Sequence, residues 1–253
     1  MTAWDLRTFA RALGATLIGI VVVWLVTAAS DEGQLTVGVR AGRTLPIAPL
    51  CSAIGAALAL GTARVRDETR ALEALGRSPG QSASAAAFGA ALPSVLIGIA
   101  IAASSIIDVS GFYPRAPRGD TFVYEDGAFT SPTLGVRVSA DGEPRAVEGG
   151  TTPDEGLPLH ARGAAAAATA IAGVALSLVT ARAILRVSLL HRRTRRRRRV
   201  VAGVQVFACV LLTLVAFQAA AARVSPASLA MVPPALLLGV ALLGYRARHG
   251  HAG

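Results

Sequence analysis

The chain has 253 residues, of which 53% are hydrophobic, and this fraction exceeds the roughly 45–50% of an ordinary soluble domain. All 25 basic residues are Arg, and the formal charge is +10. The composition argues against an ordinary soluble domain. Cys51 and Cys209 lie in apolar stretches, so they are expected to be small core residues, with no disulfide framework or zinc site.

Six apolar stretches of the chain approach the roughly 20 residues that a helix needs to cross a bilayer. They cover residues 9–29, 45–63, 85–107, 163–181, 200–222 and 227–245. The first follows two arginines, as a signal peptide would, but five further stretches come after it and we expect it to be retained. The predicted fold class is an all-α membrane protein with six transmembrane helices.

The stretches divide the chain into three parts. Residues 1–108 are expected to hold helices one to three, and residues 109–162 a small external segment. Residues 163–253 would hold helices four to six, with an Arg-rich loop at 182–199. In addition, a charged segment at 64–80 separates the second stretch from the third.

The distribution of arginine predicts the orientation of the helices. If both termini, residues 64–80 and residues 182–199 share one side, that side carries 17 Arg and the other carries 8. The positive-inside rule makes the Arg-rich side cytoplasmic. We therefore expect a multi-pass protein of a bacterial inner membrane with both termini in the cytoplasm.

The densest basic run, residues 191–199, would suggest nucleic-acid binding if it stood alone. It borders a predicted span and contains no aromatic residue. We interpret it as a topology anchor that also binds anionic lipid headgroups. Nucleic acid is not expected as a partner.

The external segment carries signs of β-structure. Residues 121–124 and 135–139 are predicted strands, and Asp141-Gly142 predicts a hairpin turn after the second of them. Pro144 would weaken the returning strand. Because about fifty residues cannot build a large independent core, we expect a small β-rich periplasmic insertion between helices three and four.

No motif in the sequence predicts catalysis. The HExxH, GxSxG and P-loop patterns are absent, so the chain is not expected to be an enzyme, to hold a metal or cofactor, or to bind ATP by itself. His249 and His251 could bind a metal weakly but are interpreted as part of a C-terminal tail. Asp108, at the outer end of the third span, is interpreted as a solvated helix end.

Four arginines are predicted to lie near the outer membrane face. Guanidinium groups pair bidentately with phosphate, which makes these residues candidate contacts to lipid phosphates. The alternative is ordinary interfacial anchoring, in which the guanidinium groups extend into water. The four residues are Arg40, Arg43, Arg162 and Arg223.

The charged segment 64–80 is predicted to form one short helix. Arg66 or Asp67 would start the helix, and Gly76 with Pro79-Gly80 would end it. A free peptide of this length would not stay helical, so the helix must rest on a surface. The surface could belong to a partner protein or to the lipid headgroups.

The side chains of this segment suggest how the helix would lie. Ala71, Leu72 and Leu75 form one apolar stripe along it. Glu73 and Arg77 have the i,i+4 spacing of a favourable ion pair. These features predict a narrow amphipathic helix with one docking face.

The same segment resembles a known pattern. Glu68, Leu72, Ala74, Gly76 and Ser78 match the E-x-x-x-L-x-A-x-G-x-S pattern of the LptF/LptG lipopolysaccharide-export permeases. In that family the pattern forms the cytoplasmic helix between spans two and three that docks on the ATPase. The resemblance implies that these five residues, with the neighbouring Leu75, couple the chain to an ABC ATPase. Permeases of the FtsX/MacB type carry a comparable string.

The resemblance also implies partners and cargo. It suggests that the chain is the membrane subunit of an ABC-type lipid exporter. Its expected partners are a second permease subunit or a copy of itself, and an ATPase pair. The expected cargo is a lipopolysaccharide-like lipid. The external segment is too short for the β-jellyroll of that family, which leaves lipopolysaccharide itself and a periplasmic bridge protein open. Two alternatives remain: an FtsX-like permease that relays ATPase motion to a periplasmic hydrolase, and a membrane scaffold without an ATPase.

Overall fold

The computed structural model describes residues 2–31, 35–114, 123–125, 127–131, 136–139, 142, 144–146, 156–185 and 192–246. Within these ranges the chain forms eight α-helices and four short strands. The helices are α1 (Ala3–Ser30), α2 (Val37–Thr44), α3 (Ala48–Gly61), α4 (Ala63–Ala74), α5 (Pro79–Ala103), α6 (Ala161–Leu185), α7 (Arg192–Ala221) and α8 (Val232–Arg246). The strands follow α5 and precede α6 in the chain.

Five helical stretches of the described residues are long and apolar enough to cross a membrane: Ala3–Ser30, Val37–Gly61, Pro79–Ala103, Ala161–Leu185 and Arg197–Ala221. These stretches define an α-helical membrane protein. The second of them contains α2, a 3-10 turn and α3. The sixth predicted span does not reach this length, because the last apolar helical stretch, Ala227–Leu243, has at most 17 residues.

The helices differ in how much of their surface the rest of the chain covers. In the apolar windows of the second, third and fourth stretches, 56%, 56% and 61% of the residues are buried. The corresponding shares for α1 and α7 are only 11% and 22%. The helices α3, α5 and α6 therefore form the centre of the bundle, and α1 and α7 lie at its periphery.

Small residues allow the central helices to approach closely. A Cβ atom on Gly89 would lie 2.3 Å from the Phe9 carbonyl oxygen, and one on Gly173 would lie 2.3 Å from the Ser94 Cβ. The Ser94 hydroxyl also forms a buried 2.8 Å hydrogen bond with the Ser52 hydroxyl of α3. Close backbone contact and hydrogen bonds between helices are the usual means of association in a bilayer.

Two clusters of buried side chains mark opposite ends of the bundle. The first cluster lies where the start of α1, the end of α3, α4, the start of α5 and the end of α6 meet. We call this end of the bundle the corner end. The cluster includes Trp4, Ala12, Leu60, Val65, Ala83 and Leu185. The second, at the far end, includes Ile101, Val109, Phe112, Ala161, Phe217 and Ala230. The start of α1 and the 64–80 segment thus share one end.

At the far end, the backbone after α5 packs directly on α2. A Cβ on Gly42 would lie 1.9 Å from the Asp108 carbonyl oxygen, so only glycine permits this contact. The Asp108 carboxylate accepts hydrogen bonds from the Ser110 N–H (2.9 Å) and hydroxyl (2.7 Å). Asp108 therefore caps the 3-10 turn Val109–Phe112 and is not simply a solvated helix end. Nearby, burial raises the pKa of Tyr113 to about 12.

The strands form an antiparallel sheet in the order β1 (Val123–Glu125), β2 (Ala128–Ser131), β3 (Val136–Ser139) and β4 (Pro144–Ala146). The predicted strands 121–124 and 135–139 overlap β1 and β3, and residues 121–122 and 135 lie outside the described residues. The predicted hairpin joins β3 to β4, and the N–H of Gly142 donates to the Ser139 carbonyl at 2.9 Å. The proline of β4 is tolerated because β4 is an edge strand. Strand β2 was missed.

In the Arg-rich segment 182–199, the described residues at both ends are helical. Helix α6 continues to Leu185 and α7 already begins at Arg192, because Arg is a good helix former and imposes no break. Residues 186–191 lie outside the described residues. The Arg182 guanidinium donates to the Ala241 carbonyl oxygen, which brings α8 alongside the last turn of α6.

Candidate functional site

Helix α4 and the turn that follows it form a corner between the second and third membrane stretches. The helix begins at Ala63, earlier than the predicted start at Arg66 or Asp67. Thr62 is the N-cap residue, and its hydroxyl accepts a hydrogen bond from the Val65 N–H at 3.4 Å. The sequence interpretation overlooked this threonine, which has a side-chain type favoured at helix N-termini.

The three residues of the predicted apolar stripe differ in their exposure. Leu72 packs against the buried cluster of the corner end, but Ala71 and Leu75 are exposed. The buried face consists of Val65, Thr69 and Leu72, which have the i, i+4, i+7 spacing of one helix face. The polar Thr69 fits this face because its hydroxyl donates to the Val65 carbonyl at 2.7 Å.

A glycine ends α4 with a defined cap. Gly76 has a φ of 88°, and its N–H donates to the Glu73 carbonyl at 3.0 Å. The Arg77 N–H donates to the Leu72 carbonyl, also at 3.0 Å. These two bonds make a Schellman motif, which satisfies carbonyls at the helix end that would otherwise lack partners.

The N-cap residue of the next helix lies two positions after this glycine. Ser78 is the N-cap residue of α5, and its hydroxyl accepts from the Gln81 N–H at 3.3 Å, while the Gln81 side-chain oxygen accepts from the Ser78 N–H at 3.1 Å. Pro79 occupies the first helical position, where its missing N–H costs nothing. The two reciprocal bonds form a capping box, so the corner is capped on both sides.

Arg77 connects this corner to the first turn of α1. Its guanidinium forms an ion pair with Asp5 and donates to the Thr2 hydroxyl at 3.1 Å. The guanidinium also lies over the Trp4 ring, 5.3 Å from its centroid. The predicted pair between Arg77 and Glu73 therefore gives way to a contact with a distant part of the chain.

Glu68 forms a second link to α1. Its carboxylate accepts from the Arg64 guanidinium at 2.9 Å and lies 3.8 Å from the Arg7 guanidinium. The hydrogen bond from Arg64 holds the pKa of Glu68 below its ordinary value. The carboxylate is thus engaged with basic groups of the chain itself.

Glu73 contrasts with Glu68. Both of its carboxylate oxygens are buried, and neither has a hydrogen-bond partner in the described part of the chain. Burial raises the pKa of Glu73, although the positive charge of Arg70 partly opposes this. An ionised carboxylate in this position lacks the donors that would replace its hydration.

The six predicted coupling residues fall into two groups. Glu68, Leu72, Gly76 and Ser78 build the corner through an ion pair, a core contact, a helix stop and a helix start. Ala74 and Leu75 contact little of the chain, and Leu75 is 83% exposed. We call the exposed apolar patch formed by Ala71, Ala74 and Leu75 the corner face.

The four arginines predicted as lipid-phosphate contacts all lie at the far end, but they differ in what they touch. Arg40 forms a largely buried ion pair with Asp31 at 3.0 Å and lies over the Trp24 ring. Arg162 donates to carbonyl oxygens near the end of α5, including Ile101 and Ile107 at 3.0 Å each. These two guanidinium groups stabilise the bundle itself.

The other two arginines of this set are exposed. Arg43 lies on α2 with its side chain in the open. Arg223 follows α7 with a φ of 58° and donates to the Gly156 carbonyl at 3.3 Å. Lipid contact stays a prediction for all four, and the exposed pair has the more accessible guanidinium groups.

Sequence reasoning missed the residues that hold the corner to α1. The sequence pattern alone predicted no role for Trp4 or Asp5, which precede the first predicted span. The pattern Thr2-x-x-Asp5 is a capping box in the structure, and it could have indicated a helix start at residue 3. The contact between Asp5 and Arg77 joins positions 72 residues apart, and no local pattern predicts it.

The described residues contain no group of three or more His, Cys, Asp or Glu side chains that could hold a metal ion. Comparison of the chain with protein-family models, curated proteins and solved structures found no match. The class of protein defined by the fold is an α-helical membrane protein with a doubly capped corner at one end.

Proposed function

We propose that the chain is the permease subunit of an ABC-type lipid export system and that a separate ATPase drives it through the corner between α4 and α5. The observation that carries this proposal is the corner face. Its leucine, Leu75, is 83% exposed at the tip of a turn whose backbone is capped on both sides. Covering such a side chain stabilises a complex by about 2 kcal/mol.

The rigidity of the corner supports a mechanical role. The Schellman motif and the capping box fix the backbone on either side of Arg77, so a partner that pushes on the corner face moves the turn as one body. A flexible loop would absorb the same displacement. The resemblance of residues 68–78 to the LptF/LptG pattern points to an ATPase as that partner.

The contacts of the corner indicate which helix a displacement of the corner would move. Arg77 binds Asp5, and Glu68 lies against Arg7, so two ion pairs connect the corner to the start of α1. Helix α1 is the least buried of the membrane stretches. In the proposed mechanism, ATP-driven closure of the ATPase pair displaces the corner, and α1 moves with it relative to the central helices.

The exposed apolar surfaces of the peripheral helices suggest where other molecules bind the subunit. Both α1 and α7 leave most of their apolar surface uncovered. In the proposed assembly a second permease subunit, or a copy of this chain, and the lipid cargo cover these surfaces. In this assembly the corner end lies on the cytoplasmic side of a bacterial inner membrane. Helix α8 crosses the membrane as a sixth span, and the β-strands lie on the periplasmic side. The lipid leaves through the outer leaflet.

A pull-down with matched variants tests the proposal. Tagged wild-type protein is extracted from its native membrane, and the retained proteins are identified. Leu75→Arg should abolish retention of an ABC ATPase without changing the unfolding temperature. Leu159→Arg is the control, since Leu159 is 86% exposed but lies beside the far end.

Other outcomes of the same experiment would favour the alternatives. Retention of an ATPase together with a periplasmic hydrolase would indicate a relay rather than a lipid exporter. Wild-type protein that retains no ATPase would contradict the proposal and favour a scaffold whose corner rests on lipid headgroups.

A further inference from the structure

A cleft at the corner end lies between α1 and α3 and is separate from the corner face. Its volume is about 420 Å³. Its wall combines two guanidinium groups with apolar side chains; the lining residues are Arg11, Ala15, Leu58, Ala59, Thr62 and Arg64. We propose that this cleft binds one anionic phospholipid, with the phosphate between Arg11 and Arg64.

The charges around the cleft favour an anion. Arg11 and Arg64 line it, and Arg7 lies close by, within 3.8 Å of Glu68. Glu68 is the carboxylate that faces this group, and it pairs with Arg64 at 2.9 Å. Three guanidinium groups against one carboxylate leave an excess of positive charge. Such groups bind phosphate through several charge-assisted hydrogen bonds.

Thr62 adds a neutral hydrogen-bond donor to the cleft. Its hydroxyl oxygen accepts a hydrogen bond from the Val65 N–H. A hydroxyl that accepts one bond still has its own hydrogen to donate. The cleft thus offers a phosphate two kinds of donor, guanidinium and hydroxyl.

The apolar lining indicates that the ligand has an acyl chain. From Ala15 the same face of α1 continues to Ile18, and from Leu58 the same face of α3 continues to Ile54, because residues three and four apart lie on one side of a helix. The side chains of Ile18, Ile54 and Leu58 are exposed. Two apolar stripes therefore run from the arginines along membrane-crossing helices, which matches a phosphate headgroup followed by a hydrocarbon tail and not a free phosphate ion.

The proposal requires the membrane location of the helices but not the ATPase. Arg11 is exposed and forms no ion pair within the described residues, and a lipid phosphate would supply its counter-ion.

Native mass spectrometry of the purified full chain tests this site. The protein is titrated with phosphatidylglycerol and, separately, with phosphatidylcholine that has the same acyl chains. We expect one tightly held phosphatidylglycerol molecule. Arg11→Gln should weaken its binding about fivefold, and Arg11→Gln with Arg64→Gln about 25-fold. Arg137→Gln, a change at an exposed arginine of β3, is the matched control and should leave binding unchanged.

Two further measurements keep the result decisive. Arg11→Lys with Arg64→Lys keeps the charge and should restore most of the binding, which separates the loss of a ligand group from misfolding. Inorganic phosphate should not displace the lipid, since the tail contributes to binding. Equal retention of the two lipids, or an Arg11→Gln variant that binds like wild type, would overturn the proposal, and so would full displacement by inorganic phosphate.

Discussion

Arg77 and Asp5 form an ion pair across 72 positions of the chain, and this contact fixes the turn after α4 to the first turn of α1. Both side chains are largely buried, with exposures of 17% and 10%. The ring of Trp4 covers the guanidinium from one side. A displacement of the corner therefore reaches α1 through a short and stiff connection.

Removal of one partner of this ion pair should destabilise the fold markedly. Asp5→Asn leaves the buried guanidinium without a counter-ion, and we expect the free energy of unfolding to fall by about 3 kcal/mol. Denaturant unfolding of the detergent-solubilised protein measures this loss.

The comparison variant for this test is Asp67→Asn. Asp67 pairs with Arg70 at 3.2 Å on the exposed side of α4, and an exposed pair is worth less than about 1 kcal/mol. If Asp5→Asn costs no more than Asp67→Asn, the corner is not fixed to α1 by this contact.

A second prediction concerns the stop of α4. Gly76→Ala should lower the free energy of unfolding by about 1–2 kcal/mol, because a residue with a Cβ is disfavoured in the left-handed region, and Gly76 has a φ of 88°. No atom lies within 4 Å of the position that a Cβ would take, so the cost comes from the backbone alone. Gly76→Asn should cost less, since Asn tolerates this conformation.

Gly61→Ala is the control for the glycine prediction. Gly61 ends α3, has equally open space around its Cβ position and does not have a positive φ. Thermal unfolding should show no loss for this variant. A similar loss at both positions would mean that the helix stop does not depend on the left-handed conformation of Gly76.

The membrane helices could largely be predicted from the sequence, whereas the corner could be predicted only in outline. Long apolar stretches identify the spans because each has to match the bilayer thickness. The helix stop at Gly76 and the start at Ser78 also follow from local residue preferences.

The buried face of α4 could not be predicted because tertiary contacts select it. Leu72 and Leu75 have similar hydrophobicity, and only the position of α4 over the cluster at the corner end decides that Leu72 is covered and Leu75 is exposed. Tertiary contacts also explain why Arg40 pairs with Asp31 and why Arg162 binds the end of α5. Long-range contacts, which no local pattern specifies, engage these two arginines with other parts of the chain.

A third prediction uses the opposite environments of two glutamates. Burial without hydrogen bonds raises the pKa of Glu73, so its ionised form destabilises the folded chain at neutral pH. Glu73→Gln should raise the thermal unfolding midpoint at pH 7. The difference should vanish as the pH falls below the ordinary glutamate value of 4.5, because both folded and unfolded chains are then protonated.

Glu68 should respond with the opposite sign. The hydrogen bond from Arg64 lowers its pKa, so its charge stabilises the folded chain above the ordinary value and this contribution is lost as the pH falls. Glu68→Gln should therefore lower the midpoint at pH 7 and have little effect in acid. Changes of the same sign for both variants at pH 7 would contradict the environments assigned to the two carboxylates.

The most direct test of the proposed coupling is a site-specific cross-link from the corner face. Both native cysteines are buried, so Leu75→Cys introduces an exposed thiol that a photoactivatable reagent can label. Leu159→Cys provides an equally exposed control beside the far end. After irradiation in native membranes, the account predicts a cross-link from position 75 to an ABC ATPase and none from position 159. The absence of that adduct at position 75, or the same adduct at both positions, would contradict it.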